Sequence, residues 1–109
     1  MIQILRANEQ RLAEQCRRFR VQRLELFGSA TRSDFDESRS DLDFVVTFAD
    51  KTPGTYADRY LDFAEALEQL FGRKVDLLTE RSIRNRHFRS EVEAAREIIY
   101  DQRNEEAAA

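Results

Sequence analysis

Two aspartates, Asp41 and Asp43, stand two residues apart at the start of a short apolar run. Side chains alternate between the two faces of a β-strand, so a strand here would place both carboxylates on one face. Like charges held this close repel each other, and a hard divalent cation with oxygen ligands, Mg²⁺ above all, relieves that repulsion. The pair therefore predicts a metal site; the alternative interpretation is a solvated strand end.

A third aspartate, Asp76, is the only acid in the apolar segment 74–78. A buried aspartate is rare unless it is paired or coordinates a metal ion. If this segment is a strand that lies beside the one carrying Asp41 and Asp43, the three carboxylates could hold two metal ions roughly 3.5–4 Å apart. The alternative is an edge-strand aspartate that points to water.

Gly28 and Ser29 directly follow another apolar segment, and Arg32 lies three residues further on. A glycine lets the backbone approach a ligand closely, and successive N–H groups in such a turn can bind phosphate oxygens. The serine hydroxyl and the planar guanidinium add further phosphate donors. An ordinary turn explains this loop alone, but a phosphate site combined with a carboxylate cluster is what phosphoryl or nucleotidyl transfer requires.

The elements that must position these residues follow from the spacing of apolar side chains, from caps and from turn signals. The predicted fold is α/β (α+β), a small mixed sheet of three to four strands flanked by helices. We expect one domain over residues 1–103 and a disordered tail over 104–109. The predicted helices span residues 2–18, 55–70 and 88–99, and the predicted strands span residues 21–27, 41–48 and 74–78.

The second of these helices is predicted to end at Gly72. Its predicted buried stripe consists of Leu61, Ala64, Leu67, Leu70 and Phe71. We expect these side chains to pack against the apolar face of the sheet.

The bulk composition favours a cytoplasmic protein. The chain has 109 residues, a net charge of −3 and one cysteine, so an intramolecular disulfide is excluded. No segment approaches the roughly 20 apolar residues of a membrane span. An acidic middle (residues 34–80) lies between basic flanks (residues 1–23 and 81–89), an arrangement that suits central cation binding with phosphates or an acidic partner nearby.

These motifs together resemble the nucleotidyltransferase superfamily of the DNA polymerase β type, and within it the minimal nucleotidyltransferases. The resemblance extends over nearly the whole chain and includes residues 85–100, which are similar to the closing helix of the group. The sequence departs from the family pattern at Thr31 and Ser33, where alanine and glycine are common. The matching motifs are Leu26-Phe27-Gly28-Ser29, Ser40-Asp41-Leu42-Asp43-Phe44-Val45-Val46 and Val75-Asp76-Leu77-Leu78.

The resemblance implies a role for each motif residue. Gly28 and Ser29 would bind the β- and γ-phosphates of the nucleotide. Asp41 and Asp43 would ligate both Mg²⁺ ions. Asp76 would ligate the catalytic metal and help to activate the attacking hydroxyl, so that attack on the α-phosphate of ATP releases pyrophosphate.

Small members of this group resemble antitoxins that act on a HEPN-type ribonuclease toxin, as in type VII toxin–antitoxin pairs. The resemblance implies transfer of AMP from ATP to a tyrosine hydroxyl of such a partner. The alternatives are a non-catalytic antitoxin or nucleotide-binding module that neutralises its partner by contact, and a transferase that acts on RNA or a small molecule. Nucleic acid is a further candidate partner, bound through Arg17, Arg18, Arg20, Arg23 and the arginines of residues 81–89.

Overall fold

A four-stranded mixed sheet with the strand order β3-β2-β1-β4 organises the fold. The structure is a computed structural model that describes residues 3–27, 42–49, 56–80 and 96–104. Within them the elements are α1 (Gln3–Ala7), α2 (Glu9–Arg18), β1 (Val21–Phe27), β2 (Leu42–Phe48), α3 (Tyr56–Phe71), β3 (Val75–Thr79) and β4 (Glu97–Asp101).

Strand β2 joins the antiparallel and parallel halves of the sheet. It pairs antiparallel with β1 and parallel with β3, while β4 pairs antiparallel with the other side of β1. The predicted α+β fold with a small mixed sheet is therefore confirmed. The predicted position of the third strand beside the second is also confirmed.

One face of the sheet, called here the helix face, packs against the helices and forms the main core. Phe63 and Leu67 of α3 and Cys16 of α2 are fully buried in this core. Phe63 lies between two rings, 5.5 Å from Phe19 and 6.0 Å from Phe48, measured between centroids. The sheet contributes the alternate residues Leu24, Leu26, Leu42, Phe44, Val46, Phe48, Val75, Leu77 and Tyr100.

The predicted N-terminal helix is interrupted at Asn8, so the single helix predicted over residues 2–18 is wrong in this detail. The Asn8 side chain donates a 2.8 Å hydrogen bond to the carbonyl of Ile4, and its backbone N–H donates to Leu5. Asparagine competes in this way with the regular helical bonding pattern. Two helices result, with Asn8 between them.

The predicted C-terminal helix is wrong over residues 97–99, which lie in β4 instead. A short run of β-branched and aromatic side chains favours a strand, and β1 offers an edge to pair with. In this pairing Ile98 is opposite Glu25 and Tyr100 is opposite Leu24, with a bulge between the two pairs. The remainder of that predicted helix lies outside the described residues.

Helix α3 agrees with its prediction except at Leu61. Gly72 ends the helix with a φ of 65° and donates its N–H to the carbonyl of Glu68, the left-handed C-terminal geometry that glycine adopts without strain. Leu61, predicted to be buried, is 63% exposed. It stands two residues from the buried Phe63, about 200° around the helix, and therefore faces away from the sheet.

Several predicted features lie outside the described residues. These are the loop that carries Gly28, Ser29 and Arg32, the basic flank of residues 81–89 and the last part of the predicted tail, residues 105–109.

Candidate active site

Asp43 and Asp76 are direct neighbours across two parallel strands. Asp43 is the second residue of β2, Asp76 is the second residue of β3, and the two are paired in the register of the sheet. Residues that are directly paired point to the same face of a sheet. Both carboxylates therefore belong to the face opposite the helices, called here the acid face.

Exposed and buried side chains alternate along β2 and β3 around the two aspartates. Asp76 is exposed, whereas its neighbours Val75 and Leu77 are buried on the helix face. Asp43 is partly exposed between the fully buried Leu42 and Phe44. The apolar neighbours pack into the core on the helix face. The carboxylates are therefore held on rigid strands while remaining accessible on the other face.

A small apolar cluster separates the two carboxylates from the rest of the acid face. It consists of the buried residues Phe27 and Val45 with the partly buried Leu78 packed against them. Phe27 is opposite Asp43, and Val45 is opposite Leu78, one pleat further along the strands. These side chains border the carboxylate pair and exclude water from one side of it.

Four of the six predicted site residues lie outside the described residues: Gly28, Ser29, Arg32 and Asp41. Their places in the chain are nevertheless informative. Phe27, which directly precedes Gly28, is opposite Asp43, and Leu42 directly follows Asp41. The chain therefore enters the predicted phosphate-binding motif and leaves the first predicted aspartate at the sheet end that carries the Asp43–Asp76 pair.

The donor set fits a hard divalent cation. Carboxylate oxygens are the ligands that Mg²⁺ prefers, and it is commonly bound by one or two carboxylates together with substrate phosphates. Within the described ranges no group of three or more metal-ligating side chains comes together. The described contribution to a metal site is thus the pair Asp43 and Asp76.

Glu25, the one charged residue that is buried in the described part of the chain, at 6% exposure, is a site residue that was not predicted from the sequence. Glu25 is opposite Val45 and therefore lies on the acid face. Arg23 Nε approaches its Oε1 atom to 3.3 Å, and Arg96 Nη1 approaches it to 3.8 Å. An acid between Leu24 and Leu26 in an apolar strand is the same signal that identified Asp76.

A groove in the described part of the chain lies away from this site. It has a volume of about 510 Å³ and lies between α2 and β4, where Leu12, Arg17 and Tyr100 contribute to its lining. Asp43 and Asp76 are not among its lining residues. Across the described segments, none of the helices has the length and apolar character that crossing a membrane requires.

Two relatives match nearly the full length of the chain. A Methanocaldococcus jannaschii protein assigned as a protein adenylyltransferase is 34% identical over 98 residues, which cover 90% of this chain and 91% of that protein. The protein adenylyltransferase MntA of Thermococcus cleftensis is 32% identical over 97 residues, which cover 89% of this chain and 88% of that protein.

Solved structures share the fold. One assigned as a minimal nucleotidyltransferase is 31% identical, with a TM-score of 0.66 over 85% of this chain and 90% of its own. An MNT antitoxin complex with a tri-AMPylated HEPN toxin from Shewanella oneidensis matches at 20% identity and a TM-score of 0.58, over 94% of this chain and 77% of the matched chain. The family model of the nucleotidyltransferase domain matches residues 9–99. This chain belongs to the nucleotidyltransferase domain family.

Proposed function

We propose that this protein is an adenylyltransferase that moves AMP from ATP to a tyrosine hydroxyl of a partner HEPN toxin, and thereby acts as its antitoxin. The observation that carries the proposal is the direct pairing of Asp43 with Asp76 on the accessible face of the sheet. This pairing provides two rigidly held carboxylates at the sheet end where the Gly28-Ser29 motif begins.

The comparisons support the choice of donor and acceptor. MntA from Thermococcus cleftensis is named a protein adenylyltransferase. The Shewanella oneidensis complex pairs an MNT antitoxin with an AMPylated HEPN toxin, and a further toxin–antitoxin structure of the same fold contains AMP-PNP. ATP as the donor and a HEPN protein as the acceptor follow for this chain as a proposal. We place the reaction in the cytoplasm, where ATP is available.

Each predicted site residue has a place in this proposal. Asp41, Asp43 and Asp76 would hold two Mg²⁺ ions, which when bound supply positive charge to the phosphates and to the attacking oxygen. Gly28, Ser29 and Arg32 would bind the phosphates through backbone N–H, hydroxyl and guanidinium donors.

The reaction forms one bond and breaks one bond. The tyrosine oxygen bonds to the α-phosphorus of ATP while the bond from this phosphorus to the oxygen shared with the β-phosphate breaks. Pyrophosphate leaves with the bonding electrons. Asp76, the more exposed of the described pair, helps to remove the hydroxyl proton, which then passes to water.

The test is transfer of label from ATP to a HEPN partner in the presence of Mg²⁺. Label at the α-phosphate should appear on the partner, and label at the γ-phosphate should not, because the γ-phosphate leaves with pyrophosphate. Replacing the acceptor tyrosine by phenylalanine should abolish labelling. Parallel reactions with GTP, CTP and UTP establish which base is preferred.

Three outcomes would contradict the proposal in distinct ways. Neutralisation of the toxin without any label would indicate an antitoxin that acts by contact. Label on RNA or on a small molecule, with none on the partner, would indicate a different acceptor class. An absence of nucleotide binding would remove the catalytic proposal itself.

A further inference from the structure

A chain of ion pairs crosses the acid face from Glu25, one pleat away from the carboxylate pair, to Glu80, two pleats away. Glu25 on β1 and Glu80 directly after β3 lie on opposite sides of β2, and Arg96 contacts both. Its Nη1 atom is 3.8 Å from Glu25 Oε1, and its Nη2 atom is 2.9 Å from Glu80 Oε1. The guanidinium therefore bridges two strands that are not neighbours, across the width of β2.

The bridge begins at the end of the sheet where Asp43 and Asp76 lie. Arg96 directly precedes Glu97, which is opposite Leu26, so its backbone enters β4 beside the last residues of β1. From there its side chain extends along the acid face to Glu25 and Glu80. Val45, which lies in β2 two residues after Asp43, is fully buried in the row between Glu25 and Leu78.

The Glu25–Arg96 pair is largely buried, and the charges of the ion-pair chain balance. The side chains of Glu25 and Arg96 are 7% and 15% exposed. Buried atoms here, including Glu25 Oε1, Glu80 Oε1 and Arg96 Nη2, are close to opposite charges but lack well-aligned hydrogen bonds. Since these atoms are inaccessible, the cluster is not a ligand site. With Arg23 included it holds two acids and two arginines, so its own charges balance.

We propose that Arg96 is a positioning residue for the metal carboxylates. By joining Glu25 to Glu80, it holds the acid-face side chains of β1 and β3 together across β2, one and two pleats further along the strands than Asp43 and Asp76, so both strands keep the orientation in which the two carboxylates can share a metal. This inference rests on the proposed function, because it assigns Arg96 to the same metal site. Partners that contact a metal ligand directly typically contribute 10–100-fold to metal affinity, and a residue that acts through the strands should fall at the lower end of that range.

The positioning role and a purely electrostatic role predict opposite results for Arg96→Gln and the same direction of change for Glu80→Gln. Arg96→Gln removes a positive charge near the carboxylates, and Glu80→Gln removes a negative one. If charge alone mattered, the first would tighten metal binding and the second would weaken it. If the bridge positions the carboxylates, both variants weaken binding, because either one breaks the link between β3 and β1.

The experiment measures Mn²⁺ affinity by electron paramagnetic resonance, with Mn²⁺ as the probe for Mg²⁺, together with steady-state AMP transfer. For Arg96→Gln we expect an affinity loss of about tenfold and a fall in kcat of similar size, with the KM for ATP changed much less. Arg96→Lys should recover part of the loss, because an ammonium reaches one carboxylate but cannot span two.

Glu80→Gln provides a second variant that should fold even if Arg96→Gln does not. Glu80 is 31% exposed, so this variant keeps the buried Glu25–Arg96 pair and should fold; its expected affinity loss is about threefold, smaller than that of the Arg96 variant. The matched control is Arg103→Gln, whose arginine is 77% exposed and pairs with Asp101 at the far end of β4. The control should bind Mn²⁺ as the wild type does.

The results separate this inference from the proposed function. Tighter Mn²⁺ binding by Arg96→Gln, or unchanged binding by both Arg96→Gln and Glu80→Gln, would overturn the positioning role while wild-type transfer continues. If the wild type transfers no AMP, the proposed function fails, and the Mn²⁺ titrations still decide whether Arg96 positions the carboxylates.

Discussion

The two faces of the sheet are built from the same strands but have opposite compositions. On the helix face, every alternate residue of β2 from Leu42 to Phe48 is apolar and buried under α2 and α3. On the acid face, the intervening positions carry Asp43 and, on the neighbouring strands, Asp76 and Glu25. A period of two therefore assigns packing to one set of residues and chemistry to the other.

This division separates the energetic roles of the two faces. Residues on the helix face stabilise the fold by removing apolar surface from water. Carboxylates held together on the acid face repel each other and contribute little to stability until a cation binds. Substitutions on the acid face should accordingly change AMP transfer, and substitutions on the helix face should change stability.

The largest expected effect is the loss of catalysis on the acid face. Asp43→Asn keeps the shape of the side chain but removes a proposed metal ligand, and metal stabilisation of the transition state contributes several kcal/mol. At about 1.4 kcal/mol per tenfold we expect AMP transfer to fall by about 1000-fold. The melting temperature should stay the same or rise, because a source of repulsion is removed. Labelled transfer and a thermal melt measure the two quantities.

The matched control is Asp62→Asn, which removes an exposed aspartate from α3. It changes the net charge by the same amount on the opposite side of the sheet, and transfer should be unaffected. Equal losses from Asp43→Asn and Asp62→Asn would indicate a general charge effect and would contradict the assignment of the acid face.

The second prediction concerns stability on the helix face. Phe63→Ala empties a fully buried position between Phe19 and Phe48, and truncation of a buried phenylalanine typically destabilises a protein by about 3–5 kcal/mol. Urea unfolding measures the change, and transfer assayed well below the melting temperature should be retained. Leu61→Ala on the same helix, 63% exposed, should change stability by no more than about 0.5 kcal/mol.

A smaller effect is expected at the edge of the sheet formed by β3. The hydroxyl of Tyr60 donates a hydrogen bond to the carbonyl of Leu77, and Glu68 accepts one from the N–H of Val75 at 3.3 Å. Side chains of helix α3 thus provide hydrogen-bond partners for backbone groups of β3, the strand that carries Asp76. Tyr60→Phe should destabilise the protein by about 1 kcal/mol while leaving the ring in place.

Hydrogen exchange tests the same contact locally. If Tyr60 protects this edge, the Tyr60→Phe variant should show faster amide exchange in β3 than in β1. Uniformly faster exchange throughout the sheet would instead indicate that the hydrogen bond contributes only to global stability.

The sequence predicted those parts of the molecule that depend on local pattern. Strand β1 has the predicted bounds, and the alternation in β2 correctly assigned Asp43 to one face and Phe44 to the other. Gly72 was recognised because glycine at a helix end adopts a positive φ. The pairing of Asp43 with Asp76 needed one assumption, that β3 lies beside β2, and the structure confirms it.

The errors arose where distant residues decide the outcome. A short apolar run such as Ile98 and Ile99 is compatible with a helix or a strand. Pairing with the side of β1 that does not contact β2 makes it a strand. The bridge joins Glu25 to Arg96 and Glu80, both more than 50 positions further along the chain. No local pattern predicts it, because its members become neighbours only after the order of the strands is known.

The smallest expected effect lies at the end of β4, where Asp101 accepts a 3.0 Å hydrogen bond from the backbone N–H of Arg103. This bond, and next the Arg103 side chain, hold the pKa of Asp101 below its ordinary value of 3.8, although partial burial acts in the opposite direction. A carboxylate whose pKa is lower in the folded state stabilises the fold at pH values above its unfolded pKa, and this contribution is lost as the pH falls through the folded value.

Asp101→Asn should therefore lower the melting temperature slightly at pH 7, and the difference from the wild type should narrow as the pH falls below 3.8. Arg103→Gln, which keeps the backbone donor, should retain most of the wild-type stability, because the backbone bond is the largest cause of the shift. Thermal melts between pH 7 and pH 3 measure both variants. If Arg103→Gln lowers the melting temperature as much as Asp101→Asn does, the side-chain charge and not the backbone bond stabilises this end of the strand. Asp101 is opposite Arg23, which contacts Glu25 on the acid face. Measuring AMP transfer by the same two variants therefore shows whether this end of the acid face can be altered without affecting catalysis.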